Sequence, residues 1–124
     1  MRKLLTENSL GKKLKELGYN DSTWGYKKLT GGKYKIIKSN YDIPAYTSDE
    51  LLQLLPDTLI IKRKSTGEPI EVRLEIVKQD KEFHVYYSQL SIVYDDVMFP
   101  IESDKKLSHS LARMLIGLHN VNLI

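Results

Sequence analysis

Ile70-Glu71-Val72-Arg73-Leu74-Glu75-Ile76 alternates apolar and charged side chains without a break. Successive side chains of an extended chain point to opposite faces, so this run reads as a β-strand with one face buried and one in water. Its neighbours repeat the pattern, with Leu59 and Ile61 upstream and Phe83, Val85 and Tyr87 downstream. A turn at Thr66-Gly67 sets Leu59 opposite Leu74 and Ile61 opposite Val72. A second at Gln79-Asp80 sets Leu74 opposite Val85 and Ile76 opposite Phe83. Both registers pair apolar with apolar, and on the outer face they put Lys62 beside Glu71 and Glu75 beside His84. The result is an antiparallel meander whose apolar side, Ile70, Val72, Leu74 and Ile76, must be covered. A fourth strand is expected in residues 90–94 or 97–101.

Helices supply the cover. Leu10, Leu14 and Leu17 share one face of a helix over residues 7–17, with Thr6 as cap, Leu5 packed on Leu10 and Gly18 as the left-handed stop. Thr47-Ser48-Asp49-Glu50 is a capping box, Tyr46 and Leu51 stand at staple positions, and Pro56 ends the short helix that follows. Leu51, Leu52, Leu54 and Leu55 must pack on something larger for it to persist. A third helix, over residues 104–118 and capped by Ser103 or Asp104, carries the stripe Leu107, Leu111, Met114, Leu115 and Leu118. Ala112 and Ile116 widen that stripe and Leu123-Ile124 end the chain, which raises either a tail folded back on its own domain or a homodimer. Near the start, residues 24–29 and 33–38 flank Thr30-Gly31-Gly32 as a β-hairpin. The expected fold class is α+β: an antiparallel sheet, meander plus N-terminal hairpin, covered on one face by short helices including the C-terminal one. Residues 1–124 read as a single domain.

Composition agrees. The chain has 124 residues, 41% hydrophobic and 28% charged, with 7 Gly and 4 Pro, which excludes collagen-like, low-complexity and wholly disordered classes. No apolar run approaches the roughly 20 residues a spanning helix needs, so no membrane association is expected. The absence of cysteine removes disulfides and thiolate chemistry and is compatible with a reducing cytoplasm. Ten basic side chains stand against three acidic ones in residues 1–40, and nine against thirteen in the remainder. Such asymmetry bears on partners rather than on fold.

Ile43-Pro44-Ala45-Tyr46-Thr47-Ser48-Asp49-Glu50-Leu51-Leu52-Gln53-Leu54-Leu55-Pro56 is similar to a segment of small proteins encoded by prophages and mobile elements of gut-type bacteria. Their terminal helix resembles Ser103-Asp104-Lys105-Lys106-Leu107 and Leu111-Ala112-Arg113-Met114-Leu115-Ile116, although Gly117 stands where the family has tryptophan. Asp21-Ser22-Thr23-Trp24 and the tyrosines and lysines after it resemble the family's first strand. These shared motifs are caps and core stripes. The resemblance therefore implies origin and fold and brings no functional residues; the leading expectation is a small non-catalytic accessory protein of a bacterial phage or mobile element acting through an unidentified protein partner.

Chemistry is sparse. His109 and His119 lie ten residues apart on one helix with no His or Glu at i+3 or i+4, so no helical metal pair forms, and all three histidines, His84 included, read as surface or rim residues. Asp95-Asp96 reads as a turn. No Gly-x-Ser-x-Gly elbow or dinucleotide fingerprint occurs, so neither catalytic nor metal residues are expected, nor a cofactor, nor enzyme activity. Aromatics interleaved with lysines offer one alternative. Trp24, Tyr26, Lys27, Lys28, Lys33, Tyr34 and Lys35 on the hairpin could hold phosphates while bases stack on the rings, giving nucleic-acid binding. Against it, such a hairpin can simply place its rings on the core and its lysines along an edge.

Overall fold

The computed structural model describes residues 4–62, 66–88 and 102–124. In chain order these form α1 (Asn8–Glu16), β1 (Trp24–Lys28), β2 (Tyr34–Ile37), β3 (Ile43–Ala45), α2 (Ser48–Leu54), β4 (Thr58–Lys62), β5 (Pro69–Gln79), β6 (Glu82–Ser88), β7 (Glu102–Asp104) and α3 (Leu107–Asn120). The fold is α+β, with helices against antiparallel sheet. The strands divide into two sheets, ordered β2-β1-β3 and β4-β5-β6-β7.

The first sheet is the N-terminal hairpin plus a strand the sequence reading lacks. Gly31 and Gly32 take positive φ at the hairpin tip, and β3 pairs with the other edge of β1, placing Trp24 opposite Ala45 and Tyr26 opposite Ile43. Three residues containing a proline give too short a signal to read as a strand. Pro44 is tolerated because β3 lies at the edge of the sheet. The helix α1 lies against β3, where Gly11 lets the two backbones meet: a Cβ there would stand 2.3 Å from the Pro44 carbonyl oxygen.

The second sheet is the meander, displaced by two residues from the expected registers. Leu59 pairs with Val72 and Ile61 with Ile70, while Leu74 pairs with Tyr87 and Ile76 with Val85. The turn between β5 and β6 explains the second shift. Asp80 and Lys81 both have positive φ, 54° and 66°, so the tip is a tight two-residue turn closed by Gln79 and Glu82. That backbone suits the twist of a hairpin, and no glycine announces it. A two-residue slip leaves every side chain on its expected face. The outer-face neighbours do change: Lys62 lies opposite Pro69, Glu71 opposite Ile60, Glu75 opposite Tyr86 and His84 opposite Val77. Residues 90–94 and 97–101, where a fourth strand was expected, lie outside the described residues; β7, just beyond them, pairs with β6.

One core of Leu10, Leu14, Tyr46, Leu51, Leu55, Leu59, Ile61, Val72, Val85, Tyr87, Leu111, Met114, Leu115 and Leu118 joins all three helices to the second sheet. Burial fades along β5: Ile70 and Val72 are buried, Leu74 half-buried and Ile76 exposed, so Ile76 is not the core residue its alternation implies. The hairpin projects past the helical cover there. Ala112 is fully buried, Ile116 and Leu123 pack on the same core, and Leu123 N–H donates to Leu118 O at 2.9 Å, so the tail folds back on its own domain. A second cluster of Leu5, Tyr26, Ile43 and Ala45 underlies the first sheet.

The capping box of α2 forms as read, with Glu50 N–H donating to Thr47 Oγ1 and Thr47 N–H to Glu50. The other two caps differ. Thr6 does not cap α1: its backbone N–H and its Oγ1 both bond to the Tyr46 backbone, and Glu7 is the N-cap. Leu5 joins the second cluster rather than stapling onto Leu10. Helix α3 begins later than expected, with Lys106 as N-cap, because Ser103 and Asp104 are held in β7. Asp104 accepts from Lys106 N–H across the intervening turn at 2.9 Å.

Candidate functional site

The seven hairpin residues do not form one surface. Cross-strand register puts Trp24, Tyr26 and Lys28 on the same face as Tyr34, and Lys27 and Lys35 on the opposite face, while Lys33 belongs to the turn. Tyr26 is 2% exposed and its hydroxyl donates to Thr6 O at 2.8 Å, which leaves no ring face for a base. Trp24 and Tyr34 are half-buried against the same cluster, and Lys38 Nζ lies 5.0 Å over the indole. Lys27 Nζ lies 3.7 Å from Asp42 Oδ1, and Lys15 donates to the Asp42 carbonyl. The Lys28 backbone N–H donates to Asp42 Oδ2, and this bond, ahead of the nearby lysine charges, holds that carboxyl below its usual range. Lys28, Lys33 and Lys35 are exposed. The rings therefore serve packing, and part of the basic charge is met within the domain.

The histidines divide. His84 on β6 lies 2.6 Å from the hydroxyl of its cross-strand neighbour Ser103, and His119 lies 2.7 Å from Tyr19 Oη at the other end of α3. His109, read as a rim residue, is instead buried. It lies on the side of α3 away from the leucine stripe, so helical periodicity places it in water. The first turn of α3 is enclosed on that side too, since Ser108, His109 and Ser110 are all buried. Around the ring, Nδ1 is 3.7 Å from Asp104 Oδ1, and Asp104 Oδ2 accepts from Arg113 Nη1 at 2.8 Å. Burial lowers the His109 pKa, aided by Lys106 and Arg113 and opposed by Asp104 and Glu7. Glu7 and Lys106 also line, with Asn8, Ser9 and Tyr26, a cleft of about 460 Å³. Among the described residues, no three His, Asp or Glu side chains converge as metal ligands would. Asp95 and Asp96 lie outside those residues.

The outer face of the second sheet is the other distinctive surface. It carries Ile60, 70% exposed, and Val77, 38% exposed, with half-buried His84 and Tyr86. Val77, Gln79, His84 and Tyr86 line a shallow groove of about 260 Å³ on it. Among the described residues, strand β4 is also an edge. Leu74 N–H donates to Asp57 O, and the alternation of an antiparallel ladder then directs Leu59 and Ile61 toward β5, and Thr58, Ile60 and Lys62 away from it. Pro69, which has no N–H, falls opposite Lys62, where none is required. The most exposed apolar side chain of the sheet thus sits at the middle of an edge whose backbone groups face outward.

No protein-family model matches the chain, and comparisons with curated proteins and with solved structures returned no significant match. Among the described residues no helix is long and apolar enough to cross a membrane.

Proposed function

We propose that this chain is a non-catalytic binding protein that works through contact with another protein, using the outer face of the second sheet and its β4 edge. The observation that carries the reading is Ile60, which combines 70% exposure with outward-facing backbone groups on an edge strand. Natural sheets blunt such edges with charge, proline or a covering element, and a strand that keeps an exposed isoleucine at its centre is suited to receiving another chain. Lys62 puts a charge at one end of the edge, and among the described residues no strand pairs with its middle. An accessory role for a phage or mobile element is part of the same proposal, its motive being the resemblance of residues 43–56 and 103–116 noted above. Nucleic-acid binding through the hairpin is the weaker reading, because Tyr26 is buried and Lys27 lies beside Asp42.

Site-specific photo-crosslinking tests the proposal. Benzoylphenylalanine is placed at Ile60, at Val77 and, as a control on the far side of the sequence, at Lys12, and each chain is irradiated in cells carrying its native genome. Discrete heavier adducts at positions 60 and 77 and none at 12 are expected. Adducts at no position, or equally at all three, would refute the assigned surface.

A further inference from the structure

Buried at the third position of α3, His109 has one edge toward a carboxylate and its other nitrogen, Nε2, without a hydrogen-bond partner among the described residues. The charged groups around it are Asp104 from β7, Lys106 at the N-cap of α3, Arg113 within α3, and Glu7 at the N-cap of α1. Two carboxylates and two cations leave no net negative charge to welcome a proton. Asp104 is already committed to Lys106 N–H and to Arg113, and the first turn of a helix disfavours a cation. We infer that His109 makes the junction between the first turns of α1 and α3 an acid-responsive joint, which opens when the ring takes a proton while both sheets stay folded. This is separate from the contact surface proposed above.

The sign follows from burial, which keeps the folded ring neutral below the ordinary histidine range. An unfolded or opened chain binds the proton near pH 6.5, so the closed joint has its full stability above that value and loses it as the pH falls further. The opening is local because of what can move. A protonated Nε2 needs an acceptor or water. Asp104 is pinned by two partners, whereas the exposed Glu7 carboxylate accepts from the Ser9 hydroxyl two residues away. Either Glu7 swings to the ring or the ring leaves for solvent. Either motion rearranges the contact between the start of α1, where Gly11 N–H donates to Glu7 O, and the N-cap of α3, whose Lys106 Nζ donates to Leu5 O.

Hydrogen exchange at pH 7.5 and pH 5.0, corrected for intrinsic rates, reads this directly. In wild type, protection should fall in residues 4–11 and 105–110 at the lower pH and persist in β5 and β6. His109→Gln should abolish the difference, and His119→Gln, which removes the other imidazole near α1, should keep it. Equal protection at both pH values, a loss spread evenly over the chain, or a loss that survives His109→Gln would overturn the inference. Should His109→Gln not fold, the wild-type ring decides: its NMR resonances must titrate over the interval in which protection is lost, and a ring still neutral there overturns the inference equally.

Discussion

Replacing Gly11 by alanine reverses the usual effect of that substitution. Gly11 is the fourth residue of a nine-residue helix, and in an open helix alanine there would stabilise by about 1 kcal/mol. Here the new methyl would stand 2.3 Å from Pro44 O and 2.7 Å from Ile43 Cγ2. Ordinary contacts of this kind begin near 3.4 Å, so α1 would have to retreat from β3 by about 1 Å. The obstacle is backbone, and β3 cannot yield cheaply, since Ile43, Pro44 and Ala45 are buried and paired with β1. Overpacking of this kind costs roughly 1–3 kcal/mol, and an unyielding carbonyl belongs at or above the top of that range. The net expectation is a loss of about 2 kcal/mol, or roughly 6–12 °C in Tm for a chain of this size. Thermal and urea unfolding followed by circular dichroism would measure it, with Lys12→Ala on the exposed side of the same helix changing stability by less than about 0.5 kcal/mol. A Gly11→Ala protein as stable as wild type, or more so, would show that α1 does not rest on β3 as described.

Three further outcomes follow from the same packing. Leu111→Ala, at a fully buried site, should cost about 2–5 kcal/mol, and Leu74→Ala, at a half-buried one, distinctly less; equal losses in urea titrations would mean the core is misplaced along β5. Asp80→Asn with Lys81→Gly should stabilise by roughly 0.5–1 kcal/mol, because that pair suits two consecutive positive φ values, and a lowered Tm would contradict the turn. Fluorescence anisotropy at low salt should detect no binding of single-stranded or duplex oligonucleotides at roughly tens of micromolar protein; a titration whose affinity falls with salt and weakens in Lys33→Ala/Lys35→Ala would restore the hairpin as a nucleic-acid site.

Periodicity determined a great deal about this protein by itself. Alternation in residues 70–76 specifies a strand with a wet and a dry face, and leucine spacing specifies α1 and α3, because these patterns follow from backbone geometry alone. The box at Thr47 and Glu50 is equally local, since all its partners lie within four residues. Register was not readable to better than two residues: both alternatives keep the same faces, and the deciding turn, Asp80-Lys81, has no glycine to mark it. Strand β3 emerges only when β1 offers an unpaired edge and α1 a glycine to lie against. Nor could composition tell that Lys27 and Lys35 would lie on the face of the hairpin away from Trp24, Tyr26 and Tyr34, with Tyr26 spent on the interior. His109 marks the boundary most clearly. Its helical position points to solvent, yet it is buried, because burial depends on what other segments bring to that side: here Asp104 of β7, 3.7 Å from its Nδ1. A pattern within one element reports which of its faces is apolar, whereas the environment of a polar group is set by distant parts of the chain, and only the tertiary structure brings those together.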